Sequence, residues 1–224
     1  MRVITYATHH HPYLDHIQSN IEAELLPQEL PWTFDFFPKA YSVHEYVSNL
    51  DGNELVLVTD AYDVLALNNC NKNILEERIR NTFDLNKITF NAEVNCYPNA
   101  ALAELYPDNE SPWKYLNAGL YAGKAHLIKQ MLEILMPEIK NTMDQLQFSK
   151  FFINSNLINL DYKCEVFQSL FRIKGKKYIN WEDFEIEGGK IKNKIFNTYP
   201  LLFHGNGNIE MNQLEKFIFN FPNK

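Results

Sequence analysis

The sequence predicts an α/β fold with a mostly parallel sheet, and three features of its pattern indicate this class. Short apolar runs alternate with stretches of helical period through the first half of the chain. The run at residues 55–59 is apolar almost throughout, which is typical of a strand inside a parallel sheet. Asp60 and Asp63 follow that run directly, at the edge where open α/β sheets bind ligands. These features predict βαβ units under a parallel sheet.

The elements of the first half follow from local signals in order. Residues 3–7 are predicted as a buried strand, and Pro12 can open a helix that extends to about residue 26. Residues 32–37 form a second β-rich run, which Pro38 closes. A helix is predicted over 42–50, because an Asp51-Gly52 turn ends it. The strand at 55–59 is followed by a predicted helix at 73–83 and a predicted strand at 87–91.

The second half has a less regular pattern with more β character. A strand is predicted at 116–123, a helix at 125–140, and a further helix from Asp144, which we expect to be its N-cap. Between 164 and 195 the pattern is β-rich, and Gly188-Gly189 predicts a hairpin turn. A last strand at 201–203 precedes a short closing helix. No linker or repeat divides the 224 residues, so we expect a single domain over 1–224.

Composition excludes several classes of partner. The chain is 46% hydrophobic and 22% charged, which is ordinary for a globular protein. Its net charge of −7 argues against nucleic acid and anionic membranes as partners. No apolar run approaches the length of a membrane span, and the N-terminal residues lack the zones of a secretory signal. Its three cysteines share no CxxC spacing. We therefore expect a soluble, cytoplasmic protein without nucleic-acid or membrane partners.

Asp60 and Asp63 are candidate metal ligands. Two carboxylates three residues apart on a tight turn can converge on one hard cation. At about 4 Å and an effective dielectric near 20 their mutual repulsion is roughly 4 kcal/mol, and a bound divalent ion reverses its sign. The alternative is an Asp-rich turn in water, where the repulsion nearly vanishes.

A second candidate, His204-Gly205-Asn206-Gly207, also follows a predicted strand. Its glycines permit close approach of the backbone to a ligand, and His204 could provide an imidazole ligand. The alternative is a turn that happens to contain a histidine. Consecutive residues point in different directions, so the run at 9–11 is interpreted as a solvated histidine loop rather than a chelating site.

Other polar residues also follow predicted elements. Glu93 ends a strand and could face the same cleft, or could equally be a surface carboxylate. Asp144 is most simply a helix cap, with catalysis or substrate binding as the sharper alternative. The chain contains no G-x-S-x-G, P-loop or G-x-G-x-x-G motif, which weakens hydrolase, NTPase and dinucleotide-enzyme interpretations.

Nine short segments, in this order along nearly the whole chain, resemble one family. They are Val-Ile-Thr-Tyr-Ala-Thr (3–8), Val-Thr-Asp-Ala-Tyr-Asp-Val (58–64), Phe-Asn-Ala-Glu (90–93), Cys-Tyr-Pro (96–98), Tyr-Leu-Asn-Ala-Gly (115–119), Asp-Gln-Leu (144–146), Asn-Leu-Asp (159–161), Val-Phe-Gln (166–168) and His-Gly-Asn-Gly (204–207). The set resembles the glycosyltransferase domain of procollagen lysyl hydroxylases and the collagen glucosyl- and galactosyltransferase family. Each motif is weak alone, but their ordered combination is specific.

The resemblance implies a GT-A fold, with a Rossmann-like nucleotide-binding half at about 1–110 and a β-rich acceptor-side half at about 111–224. It implies transfer of sugar from a UDP-sugar with Mn²⁺, held by Asp60, Asp63 and His204. Positions matching nucleotide-sugar-binding residues of the family are Tyr6, Ala7, Thr8, Asp60, Ala61, Tyr62, Asn206, Gly207 and Asn208. Positions matching the donor-sugar and acceptor side, with a catalytic role expected for the first three, are Asp144, Glu93, Asn117 and Asn206.

Four positions depart from the family pattern. Residues 36–41 contain no glycine where relatives have a glycine-rich segment, and Tyr97 replaces a usual tryptophan. Residues 141–143 replace a run of aspartates before Asp144. Glu210 stands in place of a lysine, so we expect either that Glu210 turns away from the diphosphate or that another cation such as Lys216 compensates.

The sequence therefore predicts an Mn²⁺-dependent glycosyltransferase that moves a hexose or N-acetylhexosamine from a UDP-sugar to a hydroxyl of a glycan or protein, including a collagen-like hydroxylysine acceptor. Two alternatives stay open: a non-catalytic UDP-sugar- or glycan-binding module, and a UDP-sugar hydrolase. The transferred sugar, the acceptor, the stereochemical course and the oligomeric state are left open by the sequence.

Overall fold

The computed structural model describes residues 1–31, 36–172 and 174–220, with the side chains of residues 219 and 220 excepted. The strands are β1 (Arg2–Tyr6), β2 (Glu24–Leu25), β3 (Leu55–Asp60), β4 (Val64–Ala66), β5 (Ile88–Glu93), β6 (Tyr115–Lys124), β7 (Ile158–Leu160), β8 (Phe167–Ser169), β9 (Phe184–Glu187), β10 (Lys190–Asn193) and β11 (Leu202–His204). The helices are α1 (Pro12–Ile21), α2 (Phe37–Ser48), α3 (Lys72–Thr82), α4 (Ala125–Ile139), α5 (Asp144–Asn154) and α6 (Asn212–Asn220). Short 3-10 helices cover Ala100–Leu105 and Trp181–Asp183.

A six-stranded sheet in the order β2-β1-β3-β6-β5-β7 forms the centre of the fold. Only β6 runs antiparallel to its neighbours β3 and β5; the other pairings are parallel. This mixed, mostly parallel α/β sheet confirms the predicted fold class.

Helices cover both faces of this sheet, and the strand alternation assigns each face its own core. On β3, Leu55 and Leu57 pack with α1 and α3, whereas Val56 and Val58 pack with α2, α4 and α5. All four side chains are at most 1% exposed, which explains why the run lacks polar alternation.

A second, three-stranded sheet in the order β4-β11-β8 lies on the α1/α3 side of the molecule. Strand β11 is antiparallel to β4 and parallel to β8, with His204 opposite Val64 and Ser169. Because Val64 follows Asp63 directly, this pairing brings the end of β11 to the turn after β3. Strands β9 and β10 form the predicted hairpin around Gly188-Gly189.

Several element bounds differ from prediction. Helix α1 ends at Ile21 instead of residue 26, because Glu22 adopts a left-handed conformation (φ 55°) and β2 then pairs with β1. Helix α2 begins at Phe37 rather than residue 42, with Pro38 in its first turn. Most of the predicted β-rich run at 32–37 lies outside the described residues, and its last residue is helical.

Helix α5 begins at Asp144, but Asp144 is not its N-cap. The cap position is Met143, whose side chain makes no capping hydrogen bond. The Asp144 side chain is 6% exposed and turns toward the interior instead. Among the described helices, none combines the length and the apolarity that crossing a bilayer requires.

Candidate active site

A cleft of about 360 Å³ opens at the carboxyl ends of β3 and β5, beside the turn that follows β11. It brings together nine of the residues singled out in the sequence, from five separate segments: Asp60, Asp63, Glu93, Asn117, Asp144, His204, Asn206, Gly207 and Asn208. The other five, which lie at the end of β1 and in the loops after β1 and β3, are not among its lining residues: Tyr6, Ala7, Thr8, Ala61 and Tyr62.

Asp60, Asp63 and His204 converge although 141 residues separate the last two. The Nε2 atom of His204 lies 3.1 Å from Oδ2 of Asp63 and 3.7 Å from Oδ2 of Asp60. The β4–β11 pairing and a hydrogen bond of 2.7 Å from the Gly205 N–H to the Asp63 carbonyl fix this approach. Burial lowers the pKa of the His204 imidazole, but the charges of Asp63 and Asp60 outweigh it, so the pKa is raised.

The three side chains fit a divalent cation. One ligating atom from each lies within 4.8 Å of the others, a spacing compatible with a common ion. Two carboxylate oxygens suit hard ions such as Mg²⁺ or Mn²⁺, and the imidazole adds a nitrogen ligand. Asp60 and Asp63 are 31% and 40% exposed at the cleft, so an ion can reach them.

Asn117 determines which ring nitrogen of His204 faces the two aspartates. The Asn117 amide oxygen accepts from the Gly119 N–H at 3.0 Å, while its nitrogen donates to Glu93 at 3.1 Å. The same oxygen lies 2.9 Å from Nδ1 of His204, so Nδ1 must carry a proton and donate it. The Nε2 atom is thereby directed to the metal position, as in the outer shell of many metal sites.

Gly119 leaves the space that the His204 ring occupies. A Cβ atom built on Gly119 would lie 2.2 Å from Cε1 of His204, far inside contact distance. Because the His204 ring is buried and held by Asn117 and Asp63, an alanine at residue 119 does not fit without displacing the ring. Packing against the His204 ring therefore requires glycine at the last position of the Asn-Ala-Gly segment.

Glu93 is a buried carboxylate that accepts several hydrogen bonds, and it does not lie on the surface. It is 4% exposed and accepts hydrogen bonds from the amides of Asn117 (3.1 Å), Gln145 (2.8 Å) and Asn206 (3.1 Å). Burial raises its pKa despite these three donors. Asn206 in turn accepts from the Phe171 N–H at 3.0 Å. Glu93 thus holds together segments that line three sides of the cleft.

Lys39 is a cleft residue that the sequence analysis missed. It lies in the first turns of α2, is 6% exposed, and its ammonium donates to Oδ1 of Asp60. Burial lowers the pKa of Lys39, but the charges of Asp60 and Asp144 outweigh it, so the pKa is raised. The sequence does contain a signal for its burial: Lys39 lies four and eight residues before Val43 and Val47, which places it on the same buried face of the helix.

The Asp144 carboxylate also lines the cleft and interacts with the charge of the Lys39 ammonium. Burial raises the pKa of its carboxyl to about 6, against the opposing charge of Lys39. Its Oδ1 accepts from the Gln145 N–H at 2.6 Å. The cleft floor therefore holds one buried ammonium among several carboxylates.

The loops after β1 and β3 meet at Tyr62. The Tyr62 hydroxyl accepts hydrogen bonds from the N–H groups of Thr8 and His9, the second at 2.9 Å. The His9 ring stacks on Tyr62 with centroids 4.3 Å apart and planes at 17°. The expected uridine-side residues are therefore neighbours, and one aromatic face of Tyr62 carries a histidine.

Three of the four departures from the family pattern include residues that line the cleft, and the fourth, Glu210, lies outside it. Tyr97 is 52% exposed and its hydroxyl lies 3.7 Å from the Met143 sulfur, so both line the cleft side by side. Glu210 is exposed and outside the lining, and so is Lys216. This placement agrees with the expectation that Glu210 turns away from the cleft. Lys216 does not line the cleft, whereas Lys39 does.

Comparison with known proteins places the chain in context. The family model described as the PLOD GT domain matches residues 42–223. A protein of Acanthamoeba polyphaga mimivirus is 33% identical over 178 residues, which are 79% of this chain and 37% of that protein. The procollagen-lysine,2-oxoglutarate 5-dioxygenase of Drosophila melanogaster is 32% identical over 68% of this chain and 21% of its own length. The multifunctional procollagen lysine hydroxylase and glycosyltransferase LH3 of Homo sapiens is 26% identical over 74% of this chain and 22% of its own length.

The matched regions are thus between about a fifth and two-fifths of these relatives. Among solved structures, a glycosyltransferase involved in glycosylation of the major capsid of PBCV-1 superposes with a TM-score of 0.56 at 11% identity, covering 96% of this chain and 97% of that one. The galactosyltransferase LgtC, in complex with donor and acceptor sugar analogs, gives 0.52 at 11% identity over 100% and 97%. At this identity the two structures establish the shared fold.

Proposed function

Since the chain belongs to the PLOD glycosyltransferase-domain family, we propose that it transfers a hexose or N-acetylhexosamine from a UDP-sugar to a hydroxyl acceptor in an Mn²⁺-dependent reaction. The observation that carries the proposal is the convergence of Asp60, Asp63 and His204 in the cleft. Two oxygen ligands and one nitrogen ligand at this edge of an α/β sheet suit a cation that binds a nucleotide diphosphate.

In this proposal Asp60, Asp63 and His204 hold Mn²⁺. When bound, the ion neutralises charge on the UDP leaving group, which contributes several kcal/mol in such reactions. Asn117 keeps the proton on Nδ1 of His204, so that Nε2 is available as a ligand. Lys39 holds one oxygen of Asp60 and leaves the other directed toward His204.

The donor sugar lies on the Glu93 side of the cleft. Asn117, Asn206 and the carboxylates of Glu93 and Asp144 supply the acceptors and donors that sugar hydroxyls require. Asp144 is assigned the position next to the reacting carbon. With a pKa of about 6 it is ionised at neutral pH, yet close enough to neutrality to accept a proton. In an inverting course it serves as the base for the acceptor hydroxyl, and in a retaining course it stabilises positive charge on the sugar.

The nucleoside lies toward the loops after β1 and β3. Tyr6, Ala7, Thr8, Ala61 and Tyr62 form that side, and the turn at Gly207-Asn208 offers backbone groups to the diphosphate. Gly207 has a φ of 71°, which disfavours residues with a side chain. A Cβ atom at this position would also lie only 2.8 Å from the Phe171 ring.

The acceptor is proposed to be a hydroxyl of a glycan or of a protein. The names of the relatives refer to procollagen lysine, and a hydroxylysine-like acceptor is one member of this class. The fold alone does not select it.

A thermal-shift experiment with a turnover assay tests the proposal. With Mn²⁺ and UDP at a hundredfold above its dissociation constant, we expect roughly 2.7 kcal/mol of stabilisation. The Asp60→Ala and His204→Ala variants should lose this shift, whereas Asp108→Ala, at an exposed carboxylate outside the cleft, should keep it.

Turnover separates the alternatives. UDP release from a panel of UDP-sugars should need Mn²⁺ and rise when a hydroxyl acceptor is added. Stabilisation by UDP without any release would indicate a binding module. Release that is indifferent to acceptors would indicate a hydrolase, and unchanged shifts in both metal-site variants would refute the site.

A further inference from the structure

Charge is segregated along this acidic chain. Residues 172–194 contain seven basic and four acidic residues, a formal charge of +3. The rest of the chain contains 14 basic and 24 acidic residues, a formal charge of −10. A short cationic stretch in a protein of overall charge −7 needs a local explanation, because clustered like charges repel one another.

Internal ion pairs explain only part of this stretch. Arg172 pairs with Asp183 at 3.0 Å, and Lys192 pairs with Glu187 at 3.2 Å. Lys174, Lys176 and Lys177 are exposed, and within the described part of the chain they form no ion pair. Together with the 52% exposed Tyr178, whose ring centroid lies 5.9 Å from the Lys176 ammonium, we call these three lysines the basic rim.

Hydrogen bonds near both ends of the basic rim connect it to residues 206–210, part of which line the cleft. Before it, the Phe171 N–H donates to the Asn206 side chain at 3.0 Å. At its end, the Lys177 carbonyl accepts from the Glu210 N–H at 2.7 Å. Phe171, Asn206 and the neighbouring Gly207 all line the cleft. The rim is therefore held next to the turn at residues 204–208, which lines one side of the cleft, in the acceptor-side half of the chain.

We propose that the basic rim binds the anionic saccharide portion of an acceptor, which deepens the proposed function and rests on it. The lysine ammonium groups pair with carboxylate or sulfate groups, and the exposed Tyr178 ring offers a flat face to the C–H side of a sugar. The cleft floor, with Asp60, Asp63 and Asp144, repels such a chain. The contrast holds the charged part of the acceptor at the rim while its neutral hydroxyl end enters the cleft.

Direct binding tests the proposal with the whole protein. Isothermal titration with a galacturonic-acid oligosaccharide should show binding that weakens with salt, and a neutral oligosaccharide of equal length should bind at least tenfold more weakly. Changing Lys174, Lys176 and Lys177 together to Gln should weaken binding to the anionic oligosaccharide at least tenfold. The matched control changes the exposed Lys140, Lys150 and Lys163 to Gln, with the same change in net charge and little expected effect.

Any of the following results would overturn the proposal. Equal loss in the control triple variant would mean that only net charge matters. Equal binding of poly-glutamate, or binding unaffected by Tyr178→Leu, would exclude a saccharide-specific surface. A weaker UDP-dependent thermal shift in the rim variant would assign these lysines to the donor. Wild-type protein that keeps the UDP shift but ignores the anionic oligosaccharide would refute the rim alone, whereas absence of the UDP shift would refute the proposed function.

Discussion

The two ends of the candidate site are built differently. At the metal end, side chains from β3, β5, β6 and β11 are buried or half-buried and linked by charged and amide hydrogen bonds through Glu93 and Asn117. At the proposed nucleoside end, Thr8, His9 and Tyr62 lie on exposed loops and contact mainly one another. Geometry at the metal end is therefore fixed before any ligand binds, whereas at the nucleoside end a protein ring occupies a face of the tyrosine.

This difference indicates which end must rearrange. A network of buried, fully paired polar groups resists displacement, because each group that loses its partner costs about 1–3 kcal/mol. A stacked pair of rings in a solvated loop costs less to separate, roughly 0.5–1.5 kcal/mol. A nucleobase that stacks on Tyr62 from the His9 side would have to displace His9.

Lys39→Met should cause the largest loss of stability at the metal end. It leaves Asp60 and Asp144 without their buried counter-charge, and removing one partner of a buried pair costs roughly 3–5 kcal/mol. Chemical denaturation should show this loss in metal-free protein, with partial recovery in Mn²⁺ because the ion supplies positive charge. The control Lys72→Met breaks a more exposed pair with Glu22 and should cost less than about 1 kcal/mol. Equal losses in both variants would contradict a preformed metal end.

Gly119→Ala should displace His204 directly. The added Cβ collides with the ring at 2.2 Å, and overpacking of this kind costs about 1–3 kcal/mol. We expect the stabilisation by Mn²⁺ to disappear as well. In Gly123→Ala, on the same strand, the new Cβ meets Ile88 at 3.1 Å and leaves His204 alone, so stability should fall while Mn²⁺ binding persists. Wild-type Mn²⁺ affinity in the Gly119 variant would show that the ring has room to move.

Asn117→Ala should weaken Mn²⁺ binding by roughly 10- to 100-fold, because Nδ1 of His204 loses the acceptor that fixes its proton. Titration of the protein with Mn²⁺ measures the affinity. Asn193→Ala removes an equally buried amide that contacts Gln168 outside the cleft. That control should lose stability without losing affinity, and a parallel loss of affinity would point to general unfolding.

His9→Ala should have the smallest effect, and in the opposite direction. Removing the ring uncovers Tyr62 at a cost in stability of roughly 1 kcal/mol or less, while UDP affinity should rise a few-fold if the base takes the vacated face. His10→Ala removes a neighbouring exposed ring that pairs with Asp15 and should leave affinity unchanged. A fall in UDP affinity on His9→Ala would mean that His9 contacts the nucleotide itself.

Local pattern predicted most of the fold. Strand β3 and helix α4 were located within one residue at each end, because burial on both faces and a 3.6-residue period leave direct traces in sequence. The bounds failed where one residue overrode the pattern, as Glu22 does at the end of α1. The antiparallel direction of β6 had no local signal, since a strand's neighbours determine its direction.

The candidate site was likewise predicted in part from local sequence. Asp60, Asp63 and His204 were singled out by their positions after strands, and the ordered motifs joined them into one hypothesis. Lys39 was missed, because a lysine within a helix normally faces water; its spacing from Val43 and Val47 is a weak signal, and the contact with Asp60 shows its burial.

By itself the sequence determined the alternation of strands and helices, the acidic balance and the residue types at the strand ends, because these depend on near neighbours in the chain. Only the tertiary structure decided that β11 lies against β4, that His204 thereby meets Asp63, and that the Asn117 amide orients the imidazole. Contacts across 87 and 141 residues arise from strand pairing and burial, and a polar side chain's partners are chosen by whatever the fold leaves within hydrogen-bond reach.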